Sequence, residues 1–399
     1  MTKSKILFIT TASISTNPRL LKSYLFWSAE GFECQLLAFR MNNWADELDD
    51  ALVDKYQLKF TSIPASKQAY GFWLKGSVLN RLLSFLDYNF LSTKNLAFAS
   101  NKRSWQLMQY LKKSTFEFEH IEAHTLGALY PAFHWAKKKG VTFSFDVEDF
   151  HPEEKITYQK IKERQRRYRL MKDLLPSAKY ITAASPLIAQ ETEKLIERKV
   201  ITINNVFPEN EFKITSVSKE NEKLKLIWFS QHISFGRGLE EFIEAAWRFK
   251  SQLSITLVGH LNSDFENRII KPKQSFISTI DAMSQEDLHA LLADFDVGLA
   301  LENGNEDYNR QICLTNKIWA YFQAGLYILA TSTKAQIEFI QQNPIHGQLI
   351  TLEKENLMNG LQGVIDEKRS IVEDKEKRFT VAKKHSIENE MRQVKGLIL

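Results

Sequence analysis

The sequence predicts an α/β protein built from two Rossmann-like, doubly wound domains that face a central cleft. Three observations carry that expectation. The chain has 399 residues, more than one ordinary core accommodates. Short apolar, β-rich runs alternate with helical stretches from end to end, the pattern of helices laid on parallel sheets. A polar stretch at 214–223, rich in lysine and glutamate and without apolar period, separates two such series and reads as a linker.

In the first series the expected strands are 5–10, 34–39, 58–64, 120–124, 142–146, 180–185 and 200–205. In the second they are 224–230, 254–260, 276–280, 296–302 and 327–332. Several are nearly continuous apolar runs, as suits strands covered on both faces. Between them lie amphipathic segments such as 238–249, where Leu239, Phe242, Ile243, Ala246 and Trp247 share one face. Ligands of open α/β sheets bind beyond the carboxyl ends of the strands, so the loops after strands are the places to look for function.

Composition narrows the classes. Cys34 and Cys313 make no disulfide framework, which favours a reducing compartment. The apolar run at 6–9 is too short for a signal-peptide core, and no run approaches the ~20 residues of a membrane span. The net charge of +5 permits phosphate or anionic lipid. No zinc-finger spacing or RNA-binding signature supports a nucleic-acid partner. A cytoplasmic location is expected.

The loop after strand 224–230 reads QHISFGRG. Gly236 and Gly238 remove side chains where the backbone must approach something closely, and Arg237 adds a fork of donors. The next helix opens with free N–H groups, so the loop fits a diphosphate; a tight turn with a solvated arginine fits equally. Further on, Thr315 or Asn316 can cap a helix whose first turn carries Lys317. A cation there opposes the helix dipole and makes sense beside a bound anion; the plain alternative is a long exposed lysine.

At this point the chain resembles a known family. The segment LTNKIWAYFQAGLYILATS (314–332) is similar to the "NK…Y…AG" helix of the large retaining GT-B glycosyltransferases, the glycogen synthase-like or group-one family. Residues 277–301 resemble the stretch before it, 231–246 its donor-phosphate loop, and 384–399 its terminal helix returning to the first domain. The resemblance implies domains at 1–215 and 216–380 with a returning helix at 381–399. It departs from the family where two glutamates are usual, at Ile312 and Ala320. Glu302, Glu306, Asn309 and Arg310 stand nearby as substitutes.

The implied reaction moves a hexose-type sugar from a nucleoside diphosphate sugar, UDP- or GDP-linked, to a glycan or lipid-linked acceptor in bacterial surface polysaccharide assembly, with retention. Arg237 and Lys317 would neutralise the leaving diphosphate. No cofactor beyond the donor substrate and no metal are implied. A degenerate GT-B protein that binds a partner or glycan, and a nucleotide-sugar epimerase, are the alternatives.

In the first half, Thr10 leads into a hydroxyl-rich loop with Ser13, Ser15 and Asn17, and no Gly-x-Gly-x-x-Gly follows; a dinucleotide fingerprint is therefore absent. Asn17 and Pro18 fit a capped helix start. The resemblance places this loop toward acceptor and donor phosphates, and His124 against the transferred sugar. Asp146, Glu148 and His151, after strand 142–146, would orient hydroxyls, or form a merely solvated acidic loop. Residues 70–95 mix large apolar side chains with Lys75, Arg81 and Lys94 and are expected to be buried with an exposed rim. The basic run 160–173 is the candidate for peripheral contact with the inner membrane face.

Overall fold

The computed structural model describes residues 4–66, 69–214, 223–304 and 307–398. The expected linker therefore lies almost wholly outside the described residues, as does Glu306. The chain divides into two compact units. The first holds Met1–Asn204 and Met391–Leu399, the second Asn205–Glu390.

The first unit contains β1 (Lys5–Thr10), β2 (Glu33–Arg40), β3 (Phe60–Pro64), β4 (His120–His124), β5 (Thr142–Val147), β6 (Ile181–Ala183) and β7 (Ile201–Thr202). They form one sheet in the order β3-β2-β1-β4-β5-β6-β7, and all the pairings are parallel. The second unit contains β8 (Leu224–Ile233), β9 (Leu253–Leu261), β10 (Ile277–Ile280), β11 (Val297–Ala300), β12 (Tyr327–Thr331) and β13 (Gly347–Ile350). Their order, β10-β9-β8-β11-β12-β13, is again that of a doubly wound sheet. All twelve expected strands are present. β13 was not expected.

Each sheet reverses its winding once, between β1 and β4 and between β8 and β11. At such a switch point the two following helices depart to opposite faces and leave a crevice. Buried residues such as Phe8, Leu36, Ile121 and Phe145 hold the first sheet to its helices, and Leu226, Trp228, Phe242, Leu257 and Leu299 hold the second. Each such side chain contributes about 1.5–3 kcal/mol by leaving water. The last helix, Ile387–Lys395, leads into the terminal residues of the first unit. There Lys395 Nζ lies 2.5 Å from Glu30, and Lys179 Nζ donates to Ile398 O at 3.0 Å.

One surface segment differs from expectation. The helix Tyr70–Phe85 buries only Gly76 and Ser84 and leaves a row of large apolar side chains in solvent. In the basic helix Lys160–Leu174, Arg166, Arg167 and Arg169 are held by carboxylates and carbonyls of the chain, while Arg164 is exposed. Arg166 meets Glu163 at 3.2 Å, Arg167 meets Glu154 and Glu163, and Arg169 donates to Tyr88 O at 2.8 Å. Among the described residues no helix is long and apolar enough to cross a membrane.

Candidate functional site

Strand register assembles the site of the first unit. Thr10 stands opposite His124, His124 opposite Asp146, and Asp146 opposite Thr182, so one row crosses β1, β4, β5 and β6 at their carboxyl ends. His124 is buried. Its Nε2 lies 3.2 Å from Glu122, two residues back on the same face, and its Nδ1 lies 2.9 Å from Glu148. Burial alone would discharge the imidazole. The carboxylates of Glu122 and Glu148, with Asp146 close by, overcome it and raise the pKa to about 10. His124 is thus an imidazolium that donates from both nitrogens.

Asp146 accepts both prongs of the Arg19 guanidinium at 2.7 Å and the Thr182 hydroxyl at 2.6 Å. These partners, Arg19 foremost, outweigh burial and hold the carboxyl well below the usual range. Arg19 also donates to Ile203 O at 2.9 Å. Glu122 further accepts from Trp27 Nε1 at 3.1 Å, Tyr180 at 3.2 Å and the Ser23 hydroxyl. His124, Asp146 and Glu148 lie close enough for one ligand atom from each to hold a metal ion. The chemistry of the set opposes it, because Arg19 already supplies the cation at Asp146.

Beside this row lies a cavity of about 290 Å³ lined by Thr11, Arg103, Gly127, Glu148, His151 and Arg167, among others. Thr125, at the end of β4, takes φ 68°, a costly conformation for a β-branched residue. Its hydroxyl accepts from Thr11 N at 3.1 Å and pairs with Thr11 Oγ1 at 2.8 Å, tying the two loops together. A Cβ on Gly127 would meet Asn101 Nδ2 at 2.5 Å and Thr11 Oγ1 at 2.6 Å, so a side chain there would displace the cavity wall. His151 Nδ1 meets Glu154 at 2.9 Å. Its buried Nε2 has no partner among the described residues. Burial would lower the pKa of His151, but the Glu154 carboxylate raises it.

The hydroxyl-rich loop is occupied with itself. Ser13 pairs with Thr16 at 2.7 Å, and Ser15 N donates to Asp49 at 2.7 Å. Asn17 accepts from Leu20 N at 3.2 Å while its amide donates to Thr10. Of the expected sugar-side residues, Glu148 lines the cavity, whereas His124 and Asp146 hold it from beneath.

In the second unit the loop after β8 places Gly236 at φ 83° and Gly238 at φ 78° ahead of the helix Leu239–Ala246. The Gly236 N–H is satisfied by Glu240 Oε1 at 2.7 Å, a carboxylate of the chain in the position an anion would take. Arg237 Nη1 donates to Ser230 at 3.0 Å. Lys317, in the first turn of the helix Asn316–Gln323, is buried. Its Nζ lies 3.0 Å from Glu302 and 5.6 Å from the centre of the Trp228 ring. Both cations thus meet β8, at Trp228 and Ser230. Thr315 takes the cap position but makes no capping bond, and its buried hydroxyl has no partner among the described residues. Asn316 accepts from the Asn205 amide instead. Asn309 is buried in the helix Tyr308–Ile312, where Arg310 N is capped by Asp307 at 2.8 Å.

Sequence reasoning missed Arg19, Glu122, Arg103 and Arg167. A signal existed for Arg19. It follows Pro18 in the first turn of the helix Pro18–Ala29, the same disfavoured place for a cation that singled out Lys317.

No protein-family model matches the sequence, and no curated protein matches it. Solved structures do match. HepE from Anabaena, crystallised with UDP, has a TM-score of 0.66 and 13% identity, with 98% of both chains covered. Sucrose-phosphate synthase from Thermosynechococcus elongatus has a TM-score of 0.67 and 11% identity, again with 98% of both covered. A UDP-N-acetylglucosamine 2-epimerase has a TM-score of 0.60 and 12% identity, covering 99% of this chain and 96% of the other. The chain has the GT-B fold.

Proposed function

We propose that the protein is a glycosyltransferase that takes a sugar from a nucleoside diphosphate sugar, with UDP or GDP as the carrier, and passes it with retention to a glycan or lipid-linked acceptor. The observation that carries the reading is that Arg237 and Lys317 each reach β8, at Ser230 and Trp228, the one beside a glycine loop and the other at an uncapped helix start. Two cations, each beside the start of a helix, suit a diphosphate whose charge grows as the sugar departs. The Thr315 hydroxyl would give a phosphate oxygen its hydrogen bond. The UDP bound by the Anabaena protein of the same fold agrees with this donor class.

In the first unit, the cavity beside His124 would receive the acceptor. Its wall offers the Glu148 carboxylate, the unpartnered His151 nitrogen and two arginines, groups that pair with hydroxyls and with acidic substituents. Glu148 is turned by its bond to the His124 imidazolium, which fixes its orientation but leaves its second oxygen for a hydroxyl. The departing phosphate would take the acceptor proton, so no protein nucleophile is required. Ile312 and Ala320 supply no carboxylate, and Glu302, held by Lys317, would act in their stead toward the donor sugar.

The test is turnover of UDP-sugars and GDP-sugars with and without saccharide acceptors, read by NMR of the anomeric proton. A new α-linkage from an α-linked donor supports retaining transfer. Isomerisation of UDP-N-acetylglucosamine at C2 without acceptor would instead establish an epimerase.

A further inference from the structure

We propose that the first unit docks on an anionic lipid surface through the outer face of the helix Tyr70–Phe85 and the start of the helix Lys160–Leu174. This inference stands independently of the transferase reading. At 3.6 residues per turn, Leu74, Val78, Leu82 and Phe85 fall within an arc of about 80°. Arg81 flanks one margin of that arc and Lys75 the other. The opposite side is already spent: Phe72 packs on Trp105, and Asn80 donates to Phe98 O at 2.7 Å and to Ala99 O at 2.8 Å. Leu74, Val78, Leu82 and Phe85 are exposed. Leu82 is 63% exposed, Phe90 88% and Ile161 79%, far beyond the scattered apolar exposure of an ordinary surface.

Lys162 Nζ lies 3.5 Å from Phe85 O and Arg169 donates to Tyr88 O, so the two segments adjoin, and exposed Ile161 and Tyr158 stand beside that junction. Its charge is mostly positive, with exposed Asp87 between Leu86 and Phe90 as an acid within it. Residues 70–86 carry Lys75 and Arg81 and no acid, and residues 155–162 carry Lys155, Lys160 and Lys162 and no acid. A second copy of the face would press these cations against themselves. A bilayer of anionic lipid accepts both parts at once, the aliphatic and aromatic side chains among acyl chains and the lysines at the headgroups. The same basic helix lines the cavity with Arg167 and Leu170, so a docked unit would hold that cavity near the lipid surface.

The test is co-sedimentation of the full chain with vesicles of phosphatidylcholine alone or mixed with phosphatidylglycerol. The wild type is expected to sediment with the mixed vesicles and to remain in solution with phosphatidylcholine. Lys160→Ala/Lys162→Ala should lower the partition about thirtyfold, at about tenfold or less per lysine. Leu82→Glu/Phe85→Glu should abolish it, with an unchanged far-UV spectrum and melting curve because both side chains already face water. Two results overturn the proposal: wild type that ignores mixed vesicles, or binding that neither variant weakens. So does a concentration-dependent dimer in solution that the Leu82 and Phe85 variant dissociates, since the face would then serve a second copy.

Discussion

Arg19 and Lys317 occupy the same awkward place, the first turn of a helix, and their partners explain why. Arg19 is locked to Asp146 across the sheet, and Lys317 to Glu302 across a loop. The difference lies in reserve capacity. The Arg19 fork is used up, whereas among the described residues the three donors of Lys317 meet one carboxylate, that of Glu302, and leave room for an anion. Lys317→Ala should lower kcat about 10²–10³-fold, the scale of one lost charge contact at the leaving group. Glu302→Gln, which keeps the shape, should cost less in nucleotide affinity than Lys317→Ala, measured by titration. His124 yields a pH signature. Its folded pKa of about 10 exceeds the unfolded 6.5, so its stabilisation is complete below pH 6.5 and is lost as pH rises toward 10. Urea midpoints of the wild type should fall between pH 6 and pH 9, and His124→Gln should flatten that slope while lowering the midpoint at pH 6. Equal slopes in both proteins would show that the imidazolium is not formed.

At the scale of elements, the loop after β8 is pre-shaped and self-capped. Gly238 holds a positive φ, and a Cβ there would meet Leu352 at 2.8 Å. Gly238→Ala should weaken nucleoside diphosphate binding about tenfold through backbone strain of roughly 1–3 kcal/mol. Glu240 occupies the amide that a phosphate would claim. Glu240→Ala should therefore tighten diphosphate binding severalfold, seen by calorimetry; weaker binding would show that the carboxylate shapes the loop rather than competing for it. Most elements were legible in the sequence because parallel strands covered on both faces read as apolar runs. β13 was not, since Gly347, Gln348, Leu349 and Ile350 are too few and too mixed to stand out. The helix Tyr70–Phe85 misled for a physical reason: its apolar side chains are many, yet only one side of it packs. The polar site was half legible. Lys317, Glu148 and His124 stood at strand ends or helix starts, whereas the Arg19–Asp146 and Ser23–Glu122 pairings join residues 127 and 99 positions apart. Only the sheet register brings such pairs together.

For the whole molecule, the two units carry separate chemistry, one a row of buried charges beside a polar cavity, the other two cations, Arg237 and Lys317, near a glycine loop. Ligand linkage should therefore be unequal. A nucleoside diphosphate at one hundred times its Kd adds about 2.7 kcal/mol to the state that binds it. Hydrogen exchange should slow in β8, β11 and the helix Asn316–Gln323, with little change in β4 and β5. The most direct test of the donor site is a ligand-observed NMR titration of the full chain with UDP, GDP, ADP, CMP and dTDP, with NAD as control. Binding of UDP or GDP that Arg237→Ala and Lys317→Ala each weaken, with NAD ignored, is the expected result. A folded wild type that binds no nucleoside diphosphate, or one whose binding survives both substitutions unchanged, would contradict the assignment of these residues to the donor.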